Sequence, residues 1–239
     1  EFFFFLLSAL LGMFLMISSG NLLIFYLSLE LSTIPVAALA NFDLDKKRSS
    51  EAAMKMILSS AFSSGILLFG ISLLYGATGT IQFADMAGHL TEGDALELVG
   101  FILFFTGFAF KLSIVPFHLW TADVYEGSPV AVTSFLSVIS KSSVAFIFLT
   151  VLYKVFQPLG PVIYQLLVIL SLITLIIGNL FALRQTNLKR FLAFSSIAQV
   201  GFILVGISGG SSAGAISVVY FILIYTFSNL AAFGVISII

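Results

Sequence analysis

The sequence predicts an all-α polytopic membrane protein, a helical bundle of about eight transmembrane helices with a broken helix near Lys111 to Pro116. Three observations carry that expectation. Sixty per cent of the 239 residues are hydrophobic, only 9% are charged and the mean hydropathy is +1.17, whereas a soluble domain carries about 25% charged residues. The apolar residues, 27 Phe among them, run in stretches close to the ~20 residues that a bilayer crossing needs. A soluble chain of this length would need far more polar surface to cover such a core. Lipid is therefore the expected solvent for most side chains, and helices are the element that satisfies its own backbone there.

The candidate spans follow one another with short polar punctuation. The first covers roughly residues 1 to 17 and opens EFFFFLLSALLG, with neither Met nor a basic leader, so it does not read as a signal peptide. SSGN separates it from the second span, 21 to 41, and NFDLDKKRSS separates that from the third, 50 to 76. A loop at 77 to 95 leads to the fourth span, 96 to 121, and EGSP leads to the fifth, 129 to 155. QPLGP, a basic linker and SGGSS then bound spans at 161 to 183, 188 to 207 and 212 to 238. Both ends of the chain fall inside apolar segments, and the expectation is a piece of a longer protein.

Charge gives the orientation. Lys46, Lys47 and Arg48 follow the second span, while Arg184, Lys189 and Arg190 surround the loop after the sixth. An even number of spans separates the two groups, so the basic loops 42–50 and 184–190 share a side, which the positive-inside rule makes cytoplasmic. The 77 to 95 loop falls on the opposite side and carries Asp85, Glu92 and Asp94 without Lys or Arg.

Several function classes are excluded or disfavoured. With no Cys, the chain has no disulfide, thiolate metal site or cysteine-held iron–sulfur cluster, and two isolated His make no imidazole metal site. A net charge of −1 offers no basic patch for nucleic acid. The glycines of GISGGSSAG form no phosphate loop, since no GK[ST] follows.

Three charges stand where charge is expensive. Glu30 lies near the middle of the second span, Lys111 past the middle of the fourth and Lys141 near the middle of the fifth. Each lies about 15–20 Å from at least one membrane face at ~1.5 Å per residue, where a charge costs about 2.5–3.5 kcal/mol even on the insertion scale. Helix pairing is one use for such groups; an ion or proton pathway is the use this depth favours. An ammonium keeps its proton beside a carboxylate and yields it more readily when buried alone. A movable Glu30–Lys111 contact that passes a proton towards Lys141 is the resulting expectation. Pro116, five residues after Lys111, removes a backbone hydrogen bond and marks the helix break; Pro35, five after Glu30, allows a break or a kink.

His118, placed near the cytoplasmic end of the broken span, and Ser140 are accessory relay candidates. Ser134, Ser137, Ser142 and Ser143 surround Lys141 and suit either ordered water or close helix packing. Glu51 and Lys55, four residues apart, suit a surface ion pair. LSTIP at 31 to 35 is echoed by FSSIA at 194 to 198, in spans of opposite direction, which is the pattern of an inverted repeat.

The run FKLSIVPFHLWTADVYEGSPVAVTSFLSVISK resembles the signature of the antiporter-like subunits of respiratory complex I, with the N-subunit (mitochondrial subunit 2) form of the motif. YLSLELSTIP and GNLFALRQTNLKRFLAFSSIAQVGF extend the resemblance over essentially the whole chain. It implies two inverted five-helix repeats, the first at 1–155 and a truncated second at 161–239, with a central chain of charges that moves protons. Glu30 in LSLELS matches the family's glutamate, Lys111 in FKLS its broken-helix lysine and Lys141 in ISKSS its central lysine. The family pattern has Pro where this chain has Ala122, and the second-repeat position echoing the glutamate motif offers only Ser195, Ser196 and Gln199.

The resemblance further implies a subunit of an NADH:quinone oxidoreductase in a bacterial inner membrane, with no redox chemistry of its own. NADH, FMN, iron–sulfur clusters and quinone would then belong to partner subunits, and its partners would be other membrane subunits, the lipid bilayer and the quinone pool. The alternative is a subunit of a multisubunit cation/proton antiporter or membrane-bound hydrogenase.

Overall fold

The computed structural model describes residues 1–91 and 93–238 and is helical from end to end. Glu92, one of the acids of the 77 to 95 loop, lies outside the described residues. The helices are α1 (Phe2–Ile17), α2 (Leu22–Ala40), α3 (Lys47–Thr78), the short α4 (Phe83–His89), α5 (Ala95–Leu112) and α6 (Leu119–Gly127). A single helical rod, Val130–Lys154, follows; it consists of α7 (Val130–Phe135), a π-helical turn (Leu136–Ser140) and α8 (Lys141–Lys154). The chain closes with α9 (Gly160–Ala182), α10 (Leu188–Ser208) and α11 (Ser212–Ile236). Seven of these segments are long and apolar enough to cross a membrane, and α1 is a shorter apolar helix. The chain is a multi-pass membrane protein.

Local chemistry sets the boundaries. Asn21 caps α2 by accepting from the Ile24 amide at 2.8 Å, and Asp94 caps α5 by accepting from the amides of Leu96 and Glu97 at 2.7 and 3.2 Å. Helix α3 ends on Gly79 at φ 70°, a left-handed conformation that costs glycine nothing. The 77 to 95 segment is more ordered than a plain loop: α4 lies in it, and Gln82 forms a β-bridge with Asn21. Pro35 stands inside a continuous α2, so it does not break that helix.

Three helix pairs pack face to face, each across a glycine. A Cβ on Gly12 would lie 2.5 Å from the Ser32 nitrogen, one on Gly70 2.3 Å from that of Phe104, and one on Gly178 2.7 Å from that of Ala198. Small residues let backbones approach where lipid gives no hydrophobic drive to associate. Side chains such as Phe3, Phe62 and Ile216 point outward, at least 70% exposed, as lipid-facing groups do. The interior is aromatic, with Phe25 stacked on Phe108 at 5.0 Å and Phe108 against Phe148 at 4.9 Å.

Candidate functional site

Helix α5 stops at Leu112 because Ser113 turns to φ 64°, and the chain stays non-helical until α6 begins at Leu119. The break therefore opens before Pro116. Its loose backbone groups find side chains: the Trp120 indole donates to the Phe110 carbonyl at 3.1 Å, and the Val115 amide donates to Thr174 Oγ1 at 3.2 Å. Thr121 donates to Ser113 Oγ at 2.6 Å, drawing α6 back onto the end of α5. His118 starts α6 at the break, not near the inner end of the span; it is buried and its Nδ1 has no hydrogen-bond partner. Nine residues of α6 follow it before the helix ends at Gly127.

Lys111, on the last turn of α5, is buried, and its Nζ donates to Thr33 Oγ1 on α2. Half-buried Glu30, one helical turn before Thr33, accepts instead from Ser64 Oγ on α3. Among the described residues no ion pair joins Glu30 to Lys111. The structure thus holds them apart, each with a hydroxyl partner. A small cavity beside Lys111, with room for about one water, is lined by Thr33, Phe110, Leu136 and Ser140 and reaches the helix that carries Lys141.

Lys141 follows the π-helical turn and is 3% exposed. Its Nζ donates to Ser196 Oγ on α10 at 2.8 Å and stands 5.7 Å from the ring centre of Tyr125 on α6. Tyr225 on α11 donates to the Ser137 carbonyl at 3.1 Å and shares a hydrogen bond with Ser137 Oγ at 3.1 Å. The Tyr125 hydroxyl lies near those of Ser137 and Ser196, fully buried and without a hydrogen-bond partner of good geometry. Ser143 bonds back to the Ile139 carbonyl, and the Ser142 hydroxyl is unpartnered.

Thr33 and Ser196 are matching positions of the LSTIP and FSSIA echo, and each accepts from one buried lysine. The residue matching Glu30 is Ala193, fully buried. Spacing alone does not identify Ser64, Tyr125 or Tyr225 as neighbours of these charges; the echo was the available signal for Thr33 and Ser196.

One end of the bundle gathers charge. Asp123 on α6 accepts from Lys55 at 2.6 Å and from Arg190 at 2.7 Å, and Glu126 accepts from Arg48 at 2.8 Å and Arg190 at 2.9 Å. Lys189 donates to the Ser128 carbonyl at 2.7 Å, so both basic loops meet at this end. Lys55 also pairs with Glu51 at 2.6 Å. Burial would push the Asp123 carboxyl up, but hydrogen bonds from Lys55 and Arg190 and their charges hold it below the usual carboxylate range. No cluster able to hold a metal ion occurs among the described residues.

Known proteins share this fold. The model of a family described as NADH:quinone oxidoreductase/Mrp antiporter, TM, matches residues 19–239. The NADH-quinone oxidoreductase subunit N of Phocaeicola vulgatus is 51% identical over 237 residues, covering 99% of this chain and 50% of that protein. Respiratory complex I from Thermus thermophilus contains a chain superposing with a TM-score of 0.86 at 34% identity, over 99% of this chain and 51% of that one. The Mrp complex from Dietzia sp. contains one with a TM-score of 0.88 at 25% identity, over 96% and 43%. The chain spans about half the length of the curated relatives it matches. A continuous match from residue 19 onward, joined to the antiporter-like broken helix, places the chain in the NADH:quinone oxidoreductase/Mrp antiporter transmembrane family.

Proposed function

We propose that this chain is the core of a proton-translocating membrane subunit of an NADH:quinone oxidoreductase, of the N type. The observation that carries the reading is the pair of lysines, Lys111 and Lys141, buried in an apolar bundle without a carboxylate in contact. Groups so placed are costly to the fold and suit proton transfer. Residues 1–155 and 161–239 are read as belonging to two inverted repeats, with the shared lysine-binding positions Thr33 and Ser196 as support.

The arrangement described is the separated state of a Glu30–Lys111 switch. Bringing the Glu30 carboxylate from Ser64 to Lys111 favours a held proton; returning it to Ser64 favours release. The small cavity lined by Lys111 and Ser140 gives a water a place on the way to Lys141, with Ser140 and His118 as accessory groups and Pro116 in the hinge. This chain's residues take, hold and pass the proton. The redox groups, NADH, FMN, iron–sulfur clusters and quinone, belong on partner subunits, and the end bearing Lys46 to Arg48 and Arg190 faces a bacterial cytoplasm.

The likeness to the Mrp complex favours a second reading, a subunit of a cation/proton antiporter driven by an ion gradient. Gentle solubilisation of native membranes and isolation of the particle containing the full-length protein separates the two. NADH:quinone activity that travels with the particle supports the first; a smaller particle without it supports the second.

A further inference from the structure

The carboxylate that accompanies Lys111 has no counterpart at Lys141. The position matching Glu30 is Ala193, and Lys141 instead borders a cluster of hydroxyl residues: Ser196 accepts its hydrogen bond, the Tyr125 ring faces it at 5.7 Å, and Ser137 and Tyr225, bonded to each other, lie beside the Tyr125 hydroxyl. Tyr125 comes from α6, Ser137 from the π-helical turn, Ser196 from α10 and Tyr225 from α11. Two come from each of the proposed repeats. Helix α1, which also packs on α8, contributes no charged residue, and Lys111 is separated from this set by the cavity that Leu136 and Ser140 line.

Hydroxyls differ from carboxylates in one decisive respect: each can donate as well as accept. A carboxylate in the low dielectric of the interior fixes an ammonium in its charged form. A hydroxyl accepts from –NH₃⁺ and, on rotating, donates to the lone pair of –NH₂. The π-helical turn fits the same scheme, because Ser137 presents its carbonyl sideways to Tyr225 immediately before Lys141. The orphaned Tyr125 hydroxyl leaves the set one hydrogen bond short, so it retains room to rearrange.

We propose that Tyr125, Ser137, Ser196 and Tyr225 form an amphoteric cradle that holds Lys141 in either protonation state, with Tyr225 a positioning residue that ties the lysine to the second repeat. This deepens, and rests on, the proton-transfer reading of Lys141. Removing the direct acceptor disfavours the ammonium, whereas a carboxylate in its place pins it.

The experiment uses the full-length protein in its membrane particle, reconstituted in vesicles, and measures proton uptake against pH. Ser196→Ala is expected to move the alkaline limb of the profile to lower pH, and Ser196→Asp to higher pH, each by about one to two pH units for a hydrogen bond to a charged group. Ser196→Asp is also expected to slow maximal uptake at least tenfold. Tyr225→Phe is expected to shift the profile, while Tyr153→Phe, which removes a comparable tyrosine-to-carbonyl bond to Ile207 far from Lys141, is not. Unshifted profiles for both Ser196 variants, or equal effects of Tyr225→Phe and Tyr153→Phe, overturn the cradle. Lys141→Ala tells this failure from a deeper one: if it too leaves uptake unchanged, the proton-transfer reading itself falls. Should Ser196→Asp fail to assemble, Ser196→Ala and Tyr225→Phe decide alone.

Discussion

Replacing Lys141 by methionine separates what the fold gains from what transport requires. The ammonium is 3% exposed and holds one hydrogen bond, to Ser196 at 2.8 Å, and one ring, Tyr125 at 5.7 Å. A lysine at that depth costs about 2.5–3.5 kcal/mol on the insertion scale. A hydrogen bond to a charged group returns about 1.5–3 kcal/mol, and a desolvated cation over a ring up to about 2 kcal/mol. These terms nearly cancel, and methionine keeps the length of the side chain. Lys141→Met is therefore expected to leave the thermal midpoint of the full-length protein in nanodiscs within about 4 °C of the parent, at ~2–4 °C per kcal/mol. The same helix supplies a ruler: Leu152, 1% exposed, is expected to cost about 2–5 kcal/mol when cut to alanine. Lys141→Met is expected at the same time to abolish vesicle proton uptake. A midpoint that falls as far as that of Leu152→Ala, with uptake retained, would show that the lysine is structural and refute the reasoning.

Other outcomes follow from the same geometry. A double-mutant cycle on Asp123→Ala and Arg190→Ala, read by thermal unfolding, is expected to give a coupling of about 0.2–1 kcal/mol, as for partly exposed pairs. Because the Asp123 carboxyl sits below the usual range, its contribution is present above its ordinary value of about 4 and is lost only as pH falls through the lower folded value; the coupling should be the same at pH 7 and pH 5. Gly70→Ala, whose Cβ would meet the Phe104 backbone at 2.3 Å, is expected to cost about 1–3 kcal/mol, while Gly65→Ala on the same helix meets nothing within 4 Å and should be neutral or stabilise by up to about 1 kcal/mol. Asn21→Ala should lower stability by about 0.5–2 kcal/mol through loss of the α2 cap.

Much of this architecture can be read from one sequence because hydropathy over about 20 residues is a local property. The order of spans and the basic loops emerge that way, as do Glu30, Lys111 and Lys141 as charges at depth. Partnership is not local. Ser64 lies 34 positions from Glu30, Thr33 lies 78 from Lys111 and Tyr225 lies 88 from Ser137, so their contacts depend on which helices cross and where. The helix ends within the stretch Lys111 to Pro116 where the sequence places its break, but the residue that ends it, Ser113, is not legible, because left-handed backbone is a conformational choice that a serine does not advertise. Pro35 carries the same sequence signal and leaves α2 intact. The partners that satisfy the backbone groups the break frees, Trp120 for the Phe110 carbonyl and Thr174 for the Val115 amide, are not legible in the sequence.

The most direct test of the proton relay is the number of protons moved per NADH oxidised by vesicles carrying the full-length protein in its particle, with Lys111→Ala and Lys141→Ala beside the parent. A fall in that ratio for both variants, with the particle still assembled, is the predicted result. A ratio unchanged in both would place proton movement elsewhere and contradict the role assigned to the buried lysines.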